Sequence, residues 1–514
     1  MKKIVDLFRK PIFSVLFLTL VPVILCIIGP VFSGKSFFDV WLPGSGWNDE
    51  VFYFKQAEAM AEFGSPRGFW GFNESSAVLG GFAAWGPLPI APFVPALLIF
   101  HGSLLAPVLF NAVILSFSCY VLSKSLKSDL LPTLFFGLEI IMFLPLGRYV
   151  FSCMSEVLFV SLTILFFALG WSETQDHRTA KIVGLCLILI YMSAVRPYFL
   201  ILGVFIWYAG FVWRERSRFL CLPAMLLGGL IYVVDGKYFR AEYFAGIYID
   251  WVGKAITHGP RLVAREMLET FVTSFKQMLF IMWDSVVSGN KDGALFLTFV
   301  ILSIMVLINA IVLLFDHRKE ENMRKGGGFL LIFFAQAAVL TAILVMYNLF
   351  AGNRHLIVFI VTDFIILTFL AGGRTVNAVF CLLILVFCFT ARIGSYRIPV
   401  EDSAYRAEYA GDVVTMEETL VLADGRSWDN TVIVVDEDLK AASLSNPDYL
   451  EVLFSLPAGF AINYCTQEYV LNNLDSLKAR YLLTFEGSDC DMIAYFNDHA
   501  KETTFRGFNI YRLR

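Results

Sequence analysis

The sequence predicts an α-helical polytopic membrane protein with about eleven transmembrane helices, interfacial helices and a C-terminal soluble α/β domain. Three observations carry that expectation: an apolar composition, a ladder of long apolar runs between charged loops, and a change of composition near residue 400. Of 514 residues 58% are hydrophobic and 16% charged, whereas soluble proteins carry about 25% charge. Mean hydropathy is +0.68, more apolar surface than a water-soluble core of this length could bury. The net charge of -4 and the pI of 5.9 exclude a nucleic-acid binder, which shows a basic stripe. Nine cysteines lack CxxC or Cys/His spacing, so they signal neither a zinc site nor a disulfide scaffold. Cys465 and Cys490, outside the apolar runs, are the one candidate bridge.

A bilayer core about 30 Å thick takes about 20 apolar residues per helix. Runs of suitable character lie near 12 to 33, 104 to 123, 131 to 147, 156 to 171, 180 to 194, 198 to 213, 219 to 235, 294 to 315, 328 to 350, 355 to 372 and 376 to 392. The first follows Lys2, Lys3, Arg9 and Lys10 as a signal peptide would, but it is long and has no small-residue cleavage site. It is expected to be retained as a helix.

Lys and Arg in short loops set the orientation. With the N-terminus cytoplasmic, the inner loops hold Lys124 and Lys127, Arg178 and Lys181, Arg214, Arg216 and Arg218, then Arg318, Lys319, Arg324 and Lys325. An odd number of spans puts the C-terminal domain outside. Residues 1–395 form the transmembrane domain, with a first external loop at 34–103 and a second large external segment at 236–293, and residues 396–514 form the extracytoplasmic domain. Residues 87 to 100, PLPIAPFVPALLIF, are short and proline-rich, which suits an interfacial or re-entrant piece. Residues 236 to 290 mix aromatics with charges (Tyr238, Phe239, Arg240, Tyr243, Trp251, Arg261, Arg265), as interfacial helices do.

Beyond residue 400, TVIVVDE (431–437), the run 460–464, ARYLLTF (479–485) and the terminal GFNIYRL read as strands, with TQEYVLNNLDSLK as helix between them. Alternating strands and helices predict a small α/β domain. Its acidic residues outnumber the basic ones roughly two to one, a solvated surface, and no Gly-rich phosphate fingerprint follows a strand. No repeat of 20 to 50 residues and no low-complexity tract is present. Asn73-Glu74-Ser75 matches a glycosylation acceptor, which matters only in a host that modifies such sites.

The first external loop, GSGWNDEVFYFKQAEAMAEFGSPRGFWGFNESSAVLGGFAAWGPLP, carries Asp49 and Glu50 soon after the first helix. Adjacent carboxylates at a membrane surface can accept a proton, bind a divalent metal ion, or hydrate a loop. Glycines and Pro43 lead into the pair, and a helix with Val51, Phe54, Ala57 and Ala61 on one side follows. That places the carboxylates at a helix N-terminus against the bilayer, where a partly desolvated acid can act as a base. External turns should lack basic residues, yet Arg148, Arg196 and Arg354 each sit in one, at GRYVF, AVRPYF and GNRHL. Each alone could be an interfacial anchor; together they suit an anionic headgroup, because Arg grips phosphate through a planar fork. His355 and Glu156 are candidates to line the same cavity.

These features resemble the GT-C superfamily of membrane glycosyltransferases, in particular the protein O-mannosyltransferase and aminoarabinose transferase branch. The carriers are the Asp49-Glu50 pair after one helix, the stretch AWGPLPIAPFVPALLIFHGSLLAPVLFNAVILSFSCYVLSKSL, the Arg354-His355 pair opening a late helix, and an α/β domain after the last span. Trp85-Gly86-Pro87-Leu88 lacks the histidine of the branch's His-Pro-Pro-Leu stretch. The resemblance implies a polyprenyl-phosphate-sugar donor and direct transfer to a hydroxyl or amine of a glycan, lipid or protein acceptor. It implies Asp49 as base, Glu50 as its neighbour binding acceptor or a divalent metal ion, and Arg354 as a ligand of the donor phosphate. The rival reading is a transporter or flippase, to which Glu139 and Asp363 inside spans would contribute. Against it, no matched pair of Gly/Pro-broken helices recurs in two halves. A non-catalytic scaffold presenting the C-terminal domain would leave the carboxylate pair and the arginines without a role.

Overall fold

The computed structural model describes residues 11–32, 48–65, 86–126, 129–172, 177–239, 251–315, 320–346, 353–390, 403–422, 431–445, 451–477 and 479–514. The glycosylation tripeptide at 73–75, Trp85, Lys127, Arg318 and Lys319 lie outside them, as does the Asp49 side chain, whose backbone alone is described.

Helices stand at every apolar run. They are α1 (Pro11–Phe32), α2 (Asn48–Phe63), α3 (Val94–Ile99), α4 (Ala106–Leu126), α5 (Leu130–Met142), α6 (Leu144–Val150), α7 (Glu156–Gly170), α8 (Arg178–Val195), α9 (Leu202–Val212) and α10 (Cys221–Tyr238). Then come α11 (Trp251–His258), α12 (Pro260–Ser288), α13 (Lys291–Phe315), α14 (Glu320–Met346), α15 (Leu356–Ile365) and α16 (Arg374–Phe389). Among the described residues five helical stretches are long and apolar enough to cross a bilayer, or six when the bent pair α5 and α6 counts as one. Shorter apolar helices of 10–17 residues occupy the five other expected positions. The chain is thus a multi-pass membrane protein.

One departure from the expected spans has a local cause. The run 131–147 bends by 71° between α5 and α6, where Phe143 leaves helical geometry (ψ 77°) and Pro145, in the first turn of α6, cannot donate a backbone hydrogen bond. Residues 87–100 form a 3-10 turn at Ala91–Phe93 and the six-residue α3, too short to cross, with Leu98, Ile99 and Phe100 exposed at the tip. Tyr191 on α8 pins this segment by donating to the Leu88 carbonyl at 2.6 Å. Gly86 enters it with φ +68°, and the Asp235 carboxylate packs where a Cβ would stand, so only glycine fits. Elsewhere small residues let helices approach closely: Gly228 on α10 faces Ser193 on α8, and Gly137 on α5 receives the Phe17 ring of α1.

The second large segment is mainly the 29-residue α12, which exposes Leu268, Phe280, Trp283 and Val287. An apolar face of that kind suits the bilayer interface.

After α17 (Ser403–Thr419) the chain builds a five-stranded sheet from β1 (Thr431–Val435), β2 (Ala461–Cys465), β3 (Tyr481–Phe485), β4 (Ala500–Phe505) and β5 (Phe508–Arg512). The order is β2-β1-β3-β5-β4, parallel through β2, β1 and β3, antiparallel through β5 and β4. Helices α18 (Asp436–Ser445), α19 (Glu451–Ser455), α20 (Gln467–Asn473) and α21 (Asp489–Phe496) connect the strands. Strands β1 and β2 are buried at all five positions, as parallel strands covered on both faces must be. Strand β4 was not among the expected ones: AKETTF is a mostly exposed edge strand without apolar alternation.

The candidate bridge is a further correction. Cys465 and Cys490 are buried thiols that form no disulfide, and burial pushes the Cys490 thiol up to about 12, so it behaves as a small apolar side chain. Nearby carboxylates tie the strands together. Burial raises Asp438 to about 6 although it accepts from Phe485 N at 2.8 Å and Ser488 Oγ at 2.9 Å. Asp491 lies below the usual value, because bonds from Asn509, Gly487, Tyr511 and Thr484 outweigh its own burial.

Candidate active site

Helices α7, α8 and α15 place Glu156, Arg196 and Arg354 at one end of the bundle, because Glu156 opens α7, Arg196 follows α8, and Arg354 and His355 form the 3-10 turn before α15. The basic loops gather at the opposite end: Arg178 Nη1 donates to Trp213 O at 2.9 Å, and Tyr208 Oη donates to Arg324 O at 2.7 Å.

Glu156, 1% exposed, is the centre of the cluster. Its Oε1 accepts from Arg196 Nη2 at 2.8 Å and lies 3.7 Å from Arg354 Nε. Arg196 is 3% exposed and Arg354 6%, so neither is a side chain reaching out to lipid headgroups. Arg196 also donates to Ser155 Oγ at 3.3 Å and lies over the Phe159 ring, 4.5 Å from its centre. Burial alone would push its guanidinium toward the neutral form; the Glu156 carboxylate at 2.8 Å holds it charged. Its Nε and Nη1 are buried without a hydrogen-bond acceptor among the described residues. His355 Nδ1 stands 3.1 Å from Tyr198 Oη.

The second half of the cluster comes from α2 and the bent span. Arg148 sits in the last turn of α6 rather than in a turn between helices, and its Nη2 faces Glu50 Oε1 at 3.9 Å. Glu50, 1% exposed, lies in the first turn of α2 beside Asp49, where the helix dipole favours a carboxylate. Tyr149 joins the halves, lying within electrostatic reach of Arg148, Glu50, Glu156 and Arg354. The described side chains therefore bring together Glu50, Arg148, Glu156, Arg196, Arg354 and His355. Among the described side chains three guanidiniums face two carboxylates, Glu50 and Glu156.

The sequence reading passed over Asn111 and Tyr198. Asn111 on α4 donates through Nδ2 to the carbonyls of Tyr149 (3.4 Å), Val150 (3.1 Å) and Ser152 (2.8 Å). It thereby fixes the loop that carries the chain from Arg148 to Glu156. An amide in the middle of an apolar run was the signal that could have found it.

An apolar cavity of about 170 Å³ is lined by Phe199, Phe205, Phe334 and Phe359 and by none of the charged side chains of the cluster. Phe199 stacks between Phe159, under Arg196, and Phe359, so two rings separate the guanidinium from the cavity. Val204 and Phe334 at its rim are exposed on the bundle surface.

Among the described residues no three His, Cys, Asp or Glu side chains gather closely enough to hold a metal ion. Glu50 faces a guanidinium, so by itself it makes no cation site. Glu139 and Asp363 lie outside the cluster: Glu139 accepts from Thr368 Oγ1 at 2.7 Å, and Asp363 from Gln336 Nε2 at 2.7 Å and Ser303 Oγ at 3.4 Å. These are hydrogen bonds between helices.

No family model and no curated protein matches the chain. Among solved structures it is similar to crystal structures of ArnT from Cupriavidus metallidurans. One is in the apo state (9% identity, TM-score 0.43) and one bound to undecaprenyl phosphate (9% identity, TM-score 0.42), each match covering 97% of this chain and 98% of that one. Likeness of that degree concerns the layout of helices, and the chemistry of the site rests on its own geometry.

Proposed function

We propose that the chain is a membrane glycosyltransferase that moves a sugar from a polyprenyl-phosphate-linked donor to an acceptor on the extracytoplasmic face. The observation that carries this reading is the convergence of Arg148, Arg196 and Arg354 on one site, with an apolar cavity beyond the Phe159 and Phe199 rings. A lipid phosphate needs fixed positive charge for its head and apolar surface for its tail.

In the proposed reaction Asp49 takes the proton from the acceptor hydroxyl or amine, whose lone pair attacks the anomeric carbon. The bond from that carbon to the phosphate oxygen breaks, its electron pair leaves with the oxygen, and the diester becomes a monoester with a second negative charge. Fixed guanidiniums stabilise this charge more in the transition state than in the donor, which is how such groups accelerate a reaction. Arg354 and Arg196 bind the phosphate, Arg148 holds Glu50 against the acceptor side, His355 lines the site through Tyr198, and the isoprenoid tail enters the apolar cavity. Glycan, lipid and protein acceptors all carry suitable nucleophiles.

The topology proposed with it has the N-terminus cytoplasmic, eleven spans, residues 1–395 in the membrane unit and 396–514 outside, as in a bacterial inner-membrane protein. A reporter fused after residue 514 should be active only outside the cytoplasm, and one after Lys325 only inside. Opposite results at both sites would put the cluster on the face where nucleotide sugars are at hand, and the reading would fall.

Arg354 tests the phosphate contact directly. An anchor needs a cation on an apolar stem, whereas a forked phosphate contact needs the guanidinium plane. Arg354→Lys should weaken donor use by at least about tenfold, the scale of one charge-assisted hydrogen bond, and Arg354→Ala by more. Transfer rates against donor concentration for the three proteins in one nanodisc preparation decide it: equal rates remove Arg354 from the site.

A further inference from the structure

Helix α2 was expected to be amphipathic, yet residues 50–57 are buried at every position. The bundle covers only part of that surface. The rest meets the C-terminal domain, since Phe52 meets Tyr464 of β2 edge-on at 5.1 Å and Phe54 meets Phe454 of α19 at 5.7 Å. Lys55 follows Phe54 in the helix and is 4% exposed. Its Nζ donates to the Phe454 carbonyl at 3.2 Å and pairs with Glu58 at 2.5 Å. Phe454 is in the last turn of α19, where carbonyls lack a partner within the helix and a cation is favoured.

We propose that Lys55 is a positioning residue: by capping α19 it locks helix α2 to the C-terminal domain and so sets where Asp49 and Glu50 stand relative to the arginines. The inference rests on the transferase reading for its kinetic consequence and on geometry alone for its structural one. Lys55 lies about one and a half turns along α2 from Glu50, toward a different side, so it touches neither carboxylate nor phosphate site. Moving Glu50 by about 1 Å through a loosened helix is a change that costs catalysis heavily while leaving donor binding intact.

Lys55→Met keeps most of the stem and removes the ammonium; Lys55→Arg restores a cation that can reach the same carbonyl. In nanodiscs, with release of polyprenyl phosphate from polyprenyl-phosphate sugars as the assay, Lys55→Met should lower kcat by at least about tenfold and leave donor KM within about twofold. Lys55→Arg should recover most of the rate. Amide hydrogen exchange over residues 48–54, measured without any donor, should rise in Lys55→Met and not in Lys55→Arg. Unchanged exchange in Lys55→Met overturns the proposal whether or not the wild type transfers sugar. So does a parallel loss of kcat and donor affinity that arginine fails to rescue, which marks a fold defect. Wild type that releases no polyprenyl phosphate from any donor, with the exchange pattern as expected, overturns the transferase reading and leaves the positioning of α2 standing.

Discussion

Replacing Asp49 with Asn is expected to lower sugar transfer by about 10²- to 10⁴-fold, the usual cost of losing a general base, while expression and folding stay intact. The two residues are nearly isosteric, and Asp49 lies in the first turn of α2, where its neighbour Glu50 already answers Arg148. Donor binding should survive, because the proposed phosphate ligands, Arg196 and Arg354, stand at the end of α8 and in the turn before α15 rather than on α2. The pattern to measure in a reconstituted assay is therefore a fall in kcat with polyprenyl phosphate affinity preserved. Full turnover by Asp49→Asn would remove it as the base, and Glu50→Gln would be the next variant. A fall in affinity equal to the fall in kcat would move Asp49 from base to ligand.

Much of this arrangement was legible because membranes make polar residues conspicuous. Arg148, Arg196 and Arg354 stood out as basic residues on the side where short loops should lack them, and folding brings all three to one site with Glu156, His355 and Glu50. What periodicity could not reveal is how deep they lie. An arginine between two apolar runs reads equally as an anchor reaching for headgroups, and only the packing of Phe159, Phe199 and Tyr149 around these side chains distinguishes burial from snorkelling. Helix α2 failed for a related reason. Its pattern fitted a helix lying on the bilayer, since the partner that covers its remaining surface, Phe454 and Tyr464, comes some 400 residues later in the chain. Strand β4 was invisible because an exposed edge strand has no buried face to impose alternation. The span count blurred where Pro145 bends one apolar run and where runs are shorter than a bilayer is thick.

Glu156→Gln separates a structural role for the cluster from an anion-binding one, and its expected effect is on stability. One carboxylate oxygen answers both Arg196 and Arg354 inside the protein. Removing its charge leaves two buried guanidiniums facing each other with their shared counter-ion gone. Breaking a buried pair this way costs about 3–5 kcal/mol, a large part of a typical margin of about 5–15 kcal/mol. The unfolding midpoint in detergent should fall accordingly. A purely structural cluster would stop there, and no lipid would restore the loss. If the arginines are built to receive a phosphate, an added anion of that shape replaces the missing charge. Long-chain polyprenyl phosphate should then raise the midpoint of Glu156→Gln more than that of the wild type, since a ligand stabilises by binding the folded state and the variant's vacant guanidiniums bind it more tightly. Equal shifts in the two proteins would show that the lipid phosphate does not reach Arg196 and Arg354, and the donor site would have to be sought elsewhere.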